Sequence, residues 1–136
     1  MADNVYLFYG NDEYLVGLNA RKRVDAICPE AEQSLALEVI DGNAAKIDDA
    51  VAAIDQCIAA FRTVGLFGGK KVVWFRDVMF LKNAVIMKNE QVKRLLGELA
   101  SDIKAGLADD QFLIISAPGV DKRSAFFKAV NAAGEV

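Results

Sequence analysis

Four short apolar segments, separated by longer segments with helical spacing of apolar residues, set the strongest limit on the fold of this chain. The apolar segments are residues 5–9, 35–40, 72–76 and 112–116. They are rich in β-branched and aromatic side chains, which is typical of strands buried on both faces. Strands that alternate with helices in this way predict an α/β fold, in which a parallel sheet has helices on both faces.

The segments between the strands show where helices are expected to begin and end. Asn11 and Asp12 are good N-cap residues for a first helix, and Pro29 lies just past its expected end. A second helix is predicted over residues 47–61 and a third over residues 92–107. The expected apolar faces comprise Tyr14, Leu15, Leu18, Val24 and Ile27 in the first helix, Ile47, Val51, Ile54, Ile58 and Phe61 in the second, and Val92, Leu95, Leu96, Leu99, Ile103 and Leu107 in the third.

The remaining segments are shorter or less regular. Residues 77–88 are apolar but aperiodic, and we expect them to form a long connection with one helical turn. A last helix, with Asp121 as its N-cap candidate, carries apolar residues over 126–130. The chain ends at Val136 soon after this helix, so we expect a further strand to follow in a longer protein.

Length and composition limit the classes of function. With 136 residues, of which 54% are hydrophobic, the chain can form the core of one domain spanning residues 1–136. No apolar run is long enough to cross a bilayer, and no basic region precedes the first apolar run as it would in a signal peptide. We therefore expect a cytoplasmic protein that does not associate with membranes.

Net charge and the types of side chain present exclude further classes of function. The net charge is −3, and the basic clusters at residues 21–23, 70–71 and 122–123 are short, so we expect solvated helix ends and loops there and no autonomous DNA binding. The chain has no histidine, which removes the commonest general base and metal ligand. Cys28 and Cys57 lie far apart on or near predicted apolar helix faces, so we expect core residues, not a zinc site or a disulfide.

The first strand end has the position of a phosphate loop but not its residues. In α/β proteins, functional residues lie at the carboxyl ends of the strands. A phosphate loop there has the pattern Gly-x-x-x-x-Gly-Lys-Ser/Thr. Counted from Gly10, the last three positions hold Leu15, Val16 and Gly17, so the second glycine, the lysine and the hydroxyl are missing. We predict a degenerate phosphate loop that binds no nucleotide, other cofactor or metal.

Three acidic residues and one hydroxyl also lie at strand ends. Asp12 and Glu13 place negative charge where a triphosphate would need positive charge. Asp77 follows the third strand alone, and a single carboxylate without a phosphate loop favours a surface or capping role over metal binding. Ser116 ends the fourth strand, where ATPases of this architecture carry a polar sensing residue, but the missing phosphate loop favours a turn hydroxyl.

Residues 64–75 combine a turn, an apolar tip and a strand. Leu66 and Phe67 are flanked by glycines, and turns that contain glycine usually lie at the protein surface. The basic pair at residues 70–71 and a buried strand follow. The two large side chains either fold back into the core as loop anchors or form a plug for a pocket on another protein, and the local sequence leaves both interpretations open.

Three stretches together resemble the delta subunit of bacterial DNA polymerase III, which is part of the clamp loader. They are residues 6–15 (YLFYGNDEYL), residues 65–73 (GLFGGKKVV) and residues 121–123 (DKR), and the similarity covers essentially all 136 residues in order. The resemblance implies a three-layer α/β sandwich of the AAA+ type that binds no ATP. Because members of this family are considerably longer, it also implies that this chain is the N-terminal domain.

The resemblance further implies a binding site for the sliding clamp, the beta subunit of DNA polymerase III. In the family, an apolar plug enters a pocket on the clamp surface and opens the ring, and its positions match Val64, Leu66 and Phe67. Gly65 stands where the family has a small hydroxyl residue, so no side-chain hydrogen bond is expected there. Other clamp-loader subunits would bind through C-terminal domains absent from this chain, and DNA only indirectly. The domain itself is implied to be non-catalytic.

Two other functions remain open at this point. A receiver-like signalling domain would use Asp77 as phosphoacceptor, with Asp12 and Glu13 holding magnesium, and an active phosphate-loop nucleotidase would need a lysine within residues 10–17. Strand order separates the receiver from the ATPase. A receiver sheet has the order 2-1-3-4-5, whereas an ATPase sheet, by the resemblance, places the fourth strand between the first and the third.

Overall fold

The computed structural model describes residues 4–10, 12–62, 71–105, 111–120 and 124–133. Within these ranges the chain forms one four-stranded sheet in which all pairings are parallel and the spatial order is β1-β4-β3-β2. The strands are β1 (Val5–Tyr9), β2 (Leu37–Asp41), β3 (Lys71–Arg76) and β4 (Gln111–Ala117). The predicted parallel α/β architecture is confirmed.

Helices connect successive strands. They are α1 (Glu13–Ile27), α2 (Gln33–Ala36), α3 (Ile47–Arg62), α4 (Ala84–Met87), α5 (Glu90–Ala105) and α6 (Ala125–Ala133), with 3-10 turns at Glu30–Glu32 and Met79–Lys82. The 3-10 turn and α4 together replace the long connection with one helical turn that was expected over residues 77–88. None of the described helices is long and apolar enough to span a membrane.

The sheet separates two apolar layers. Side chains alternate along β3, so that Val73 and Phe75 face a large core shared with α3, α5 and α6, while Val72 and Trp74 face a smaller core with α1. Helices thus cover both faces of the sheet, as predicted. The buried residues of α5 are Val92, Leu95, Leu96, Leu99 and Ile103, all of them expected from the spacing.

The apolar face predicted for α1 was partly wrong. Tyr14 and Leu15 are 74% and 49% exposed, whereas the buried residues are Val16, Ala20 and Val24. These three lie four positions apart and form a narrow stripe of small side chains against the sheet. Alanine adds little to a hydrophobic pattern, so the two larger residues in the first turn dominated the prediction.

The predicted start of the second strand was also wrong. Residues 35 and 36 belong to α2, and β2 begins at Leu37 and extends to Asp41. Gln33 Nε2 donates hydrogen bonds of 2.9 Å to Asp25 Oδ1 and to the carbonyl of Cys28, which ties this short helix to the end of α1. A four-residue helix is too short to show a period, so the sequence pattern gave no sign of it.

Asparagine and serine side chains cap the later helices. Asn83 Oδ1 accepts from the backbone N–H groups at the start of α4, and Asn89 Oδ1 does the same for α5. Ser124 Oγ accepts from Phe127 N at 3.1 Å and caps α6. The expected cap Asp121 lies outside the described residues, as does residue 107, the expected last apolar position of α5.

Candidate functional site

The carboxyl ends of the four strands share one edge of the sheet, because all the strands are parallel. Gly10 and Asp12 follow β1, Gly42 follows β2 and Asp77 follows β3, while Ser116 is the penultimate residue of β4. The sequence predicted that functional residues, if present, would lie here. The geometry of this edge shows how each of the candidate residues is used.

The predicted phosphate-loop position is capped by the chain's own carboxylate. Asp12 is the N-cap of α1, and its Oδ1 accepts a hydrogen bond of 3.2 Å from Leu15 N. Phosphate groups bind helix N-termini through these same backbone donors and the positive end of the helix dipole. The N-cap prediction for Asp12 is confirmed, and the carboxylate occupies the place that an anion would need.

The lysine position of a phosphate loop is also part of the core. Val16, which stands there, is 7% exposed and belongs to the buried stripe of α1. Gly17, at the hydroxyl position, has no other heavy atom within 4 Å of where a Cβ would lie. Neither residue supplies a cation or a metal-binding hydroxyl, so the residues present do not fit a magnesium–nucleotide complex.

Ser116 is engaged in bonds within the protein. It is fully buried, and its Oγ accepts hydrogen bonds from Trp74 Nε1 at 3.0 Å and from Asp77 N at 3.3 Å. Asp77 has a φ of 52°, in the left-handed region where aspartate is tolerated better than most residues. The expected turn hydroxyl is thus a buried strand residue that holds the turn after β3.

Backbone hydrogen bonds hold the ends of β2, β3 and β4 together. Gly42 N donates to the Arg76 carbonyl at 2.7 Å, and Val78 N donates to the Ser116 carbonyl at 2.9 Å. A Cβ on Gly42 would lie 2.8 Å from Val78 Cγ2 and 3.0 Å from the Arg76 carbonyl oxygen, so this close approach requires glycine. The strand ends that would line a nucleotide site are therefore packed against one another.

Two arginines of the first basic cluster are not simply solvated. Arg21 and Arg23 lie in the middle of α1, with their guanidinium carbons 4.9 Å from the Trp74 ring centroid and 4.7 Å from the Tyr6 ring centroid. Arg76 lies 5.8 Å from the Trp74 ring, and its buried Nε has no hydrogen-bond partner among the described residues. The sequence analysis expected this cluster at a solvated helix end. It did not predict the cation–π contacts that Arg21 and Arg23 make with aromatic side chains of the sheet.

One lysine of the second basic pair forms an ion pair within the sheet. Lys71 Nζ lies 2.9 Å from Glu38 Oε1 and links the start of β3 to β2. The other lysine of the pair and the third basic cluster lie outside the described ranges. The sequence signal for the Lys71 pairing was weak, because partners on neighbouring parallel strands are far apart along the chain.

The predicted clamp-binding tip lies outside the described residues. Val64, Leu66 and Phe67 fall between Arg62, the last residue of α3, and Lys71, the first residue of β3. The tip assignment therefore stays a prediction.

Both cysteines are core residues, as predicted. Cys28 and Cys57 are buried, and they are not joined in a disulfide. Burial, with a smaller effect from the negative charge of Glu38, raises the pKa of the Cys57 thiol to about 12. In the described part of the chain, no group of three or more His, Cys, Asp or Glu side chains could hold a metal ion.

The strand order and the capped loop define a class of protein. The fourth strand lies between the first and the third, as in an ATPase-type sheet and unlike the 2-1-3-4-5 order of a receiver. The chain is therefore a parallel α/β domain that has this strand order and lacks the lysine and the hydroxyl of a phosphate loop after its first strand. It belongs to the family described as DNA polymerase III, delta subunit, whose model matches residues 6–136.

A solved structure supports the same fold. The chain is similar to the Bacillus subtilis DNA clamp loader delta protein (YqeN), with a TM-score of 0.64 and 19% sequence identity. The match covers 98% of this chain but only 37% of that one. Among curated proteins, no sequence matches the chain.

Proposed function

We propose that this chain is the N-terminal domain of a clamp-loader delta subunit, which binds and opens the sliding clamp without hydrolysing ATP. The observation that carries the proposal is the family match over residues 6–136, together with the sheet order. The chain corresponds to 37% of the Bacillus subtilis protein, which is consistent with one domain of a longer subunit. The proposed location of this subunit is the cytoplasm, where DNA is replicated in bacteria. Contacts with the other loader subunits are then made by later domains, and DNA is bound only indirectly.

The lack of ATP hydrolysis is supported by the first strand end. Asp12 caps α1 with a carboxylate, and Val16 is buried at the lysine position. Both features disfavour a bound triphosphate, since the anion would meet the Asp12 carboxylate and no lysine at the phosphate-loop position. The domain acts through binding energy, not through chemistry of its own.

The clamp is bound by the tip at Val64, Leu66 and Phe67. Its two flanks are anchored in the core, because Ile54 and Ile58 of α3 are buried and β3 lies inside the sheet. Burying a leucine and a phenylalanine in a partner's pocket contributes roughly 1.5–3 kcal/mol each. Two adjacent anchors of this kind can supply most of the affinity of a small interface.

Surface plasmon resonance with the immobilised sliding clamp tests this proposal. The double variant Leu66→Ala, Phe67→Ala is expected to lose about 100-fold or more in affinity while its circular dichroism is unchanged. The double variant Tyr14→Ala, Leu15→Ala is the matched control, because it removes two exposed apolar side chains from another surface. Equal clamp affinity for wild type and the tip variant would refute the proposed tip.

A further inference from the structure

A groove of about 740 Å³ opens between α4, α5 and α6, on the helical layer that packs over the large core. Most of its lining is apolar, and we call its apolar residues Met87, Leu96, Gly97, Ala100, Phe126 and Ala129 the floor. Small residues on α5 and α6 allow another backbone to approach closely. We call this surface the α5–α6 groove.

Lysines surround this apolar floor. Lys88, Lys93 and Lys104 line the groove, and all three are exposed. No carboxylate lines it within the part of the chain that is described, since Glu98 and Asp102 belong to α5 but are not lining residues. A protein with a net charge of −3 thus gathers positive charge around one apolar concavity.

We propose that the α5–α6 groove binds an acidic amphipathic helix of a partner protein. The apolar floor would receive the helix's large aliphatic side chains, and the three lysines would face carboxylates along its flanks. A helix fits better than an added strand because the walls are helices whose backbone groups are already paired. Nucleic acid fits poorly, because the aromatic side chain in the lining, Phe126, is 5% exposed and offers no stacking surface.

Gly97 offers a direct way to block the groove. It is exposed on α5, and a Cβ built there would have no heavy atom within 4 Å. A leucine at this position has open space at its Cβ, adds a large side chain to the lining of the groove and raises the helix propensity of α5. Gly17 in α1 has the same open surroundings and provides a matched substitution away from the groove.

The test uses a designed peptide as probe. It is a fluorescein-labelled, end-blocked helix of about 16 residues, long enough to be partly helical alone. Leucines occupy one face and glutamates flank them; a second peptide has lysine at every glutamate position. Fluorescence anisotropy is expected to show saturable binding of the acidic peptide to the wild-type chain and no binding of the basic one.

Replacing lysines of the α5–α6 groove by glutamate tests whether the peptide binds at this groove. Lys93→Glu with Lys104→Glu is expected to weaken acidic-peptide binding by about tenfold or more and to create binding of the basic peptide. The control pair Lys22→Glu with Lys46→Glu, outside the groove, should leave acidic-peptide binding unchanged. Gly97→Leu should abolish binding while Gly17→Leu should not, and if Gly97→Leu fails to fold, the charge-reversal pair decides the matter.

Three results would overturn the proposal. The first is no binding of the acidic peptide, as expected if another part of the chain covers the groove. The second is displacement of the peptide by dodecanoate or by oligo(dT) only, which would assign the groove to an anionic amphiphile or to nucleic acid. The third is a dimer in sedimentation experiments that Gly97→Leu dissociates, which would make a second copy the occupant.

Discussion

Trp74 Nε1 donates a hydrogen bond of 3.0 Å to Ser116 Oγ and joins the end of β4 to the neighbouring strand. The same oxygen also accepts a hydrogen bond from Asp77 N, so both acceptor sites of the hydroxyl at the expected sensing position are used within the protein. The two hydrogen bonds give this side chain a role in the stability of the fold. Stability measurements can therefore test the account of this edge.

Ser116→Ala is expected to destabilise the domain by about 1–3 kcal/mol, because it leaves the buried indole N–H without its acceptor. Urea denaturation followed by the fluorescence of Trp74, the one tryptophan in the chain, measures this loss. Ser101→Ala, at an exposed position on α5, should stay within about 0.5 kcal/mol of wild type. Equal stability of the two variants would contradict the role assigned to Ser116.

Gly42→Ala is expected to cost about 1–3 kcal/mol, because its Cβ would be 2.8 Å from Val78 Cγ2 and close to backbone atoms. Gly17→Ala makes the same chemical change in the open interior of α1 and should stabilise by about 0.5–1 kcal/mol. Thermal unfolding of wild type and of both variants measures these changes in stability. A stabilising effect of alanine at both positions would show that the strand ends are less closely packed.

Asp12→Ala is expected to cost about 1 kcal/mol through loss of the N-cap, whereas Asp12→Ser keeps a capping oxygen and should cost much less. Neither variant should bind magnesium-ATP in calorimetry, since Val16 still supplies no cation. Micromolar ATP binding by the wild type or by either variant would contradict the interpretation of the loop.

The raised pKa of the Cys57 thiol predicts that the stability of the domain falls at high pH. Its pKa is raised to about 12 in the folded state, so the neutral thiol is favoured by folding. This contribution is fully present below the unfolded pKa of 9.0 and is lost as the pH rises toward 12. Between about pH 8 and pH 11, wild type should lose on the order of 2–3 kcal/mol more than Cys57→Ala. If the free energy of unfolding of wild type and of Cys57→Ala changed with pH in the same way, the raised pKa would be contradicted.

The sequence predicted the parts of the fold that carry a strong apolar period. The buried residues of α5 are valine, leucine and isoleucine at regular spacing, and β1 and β4 are nearly continuous apolar runs. The buried stripe of α1 was missed because Ala20, at its centre, carries little hydrophobic signal. Residues 33–36 were missed because one helical turn shows no period.

The sequence predicted those features of the candidate site that depend on residues close together along the chain. Asp12 as an N-cap and Val16 in place of lysine follow from positions within one loop. The contacts of Ser116 with Trp74 and of Arg23 with Tyr6 join residues that are distant along the chain, so only the tertiary fold reveals them. The tip at Leu66 and Phe67 was identified from a family resemblance and stays a prediction.

Release of the sliding clamp from closed circular DNA tests the central claim most directly, because it requires both binding and opening of the ring. The wild-type chain is expected to accelerate release without nucleotide, and addition of magnesium-ATP should not change the rate. The variant with Leu66→Ala and Phe67→Ala should release the clamp no faster than buffer alone, while the Tyr14→Ala, Leu15→Ala control should match wild type. Release by the tip variant at the wild-type rate, or release that depends on ATP, would contradict the account.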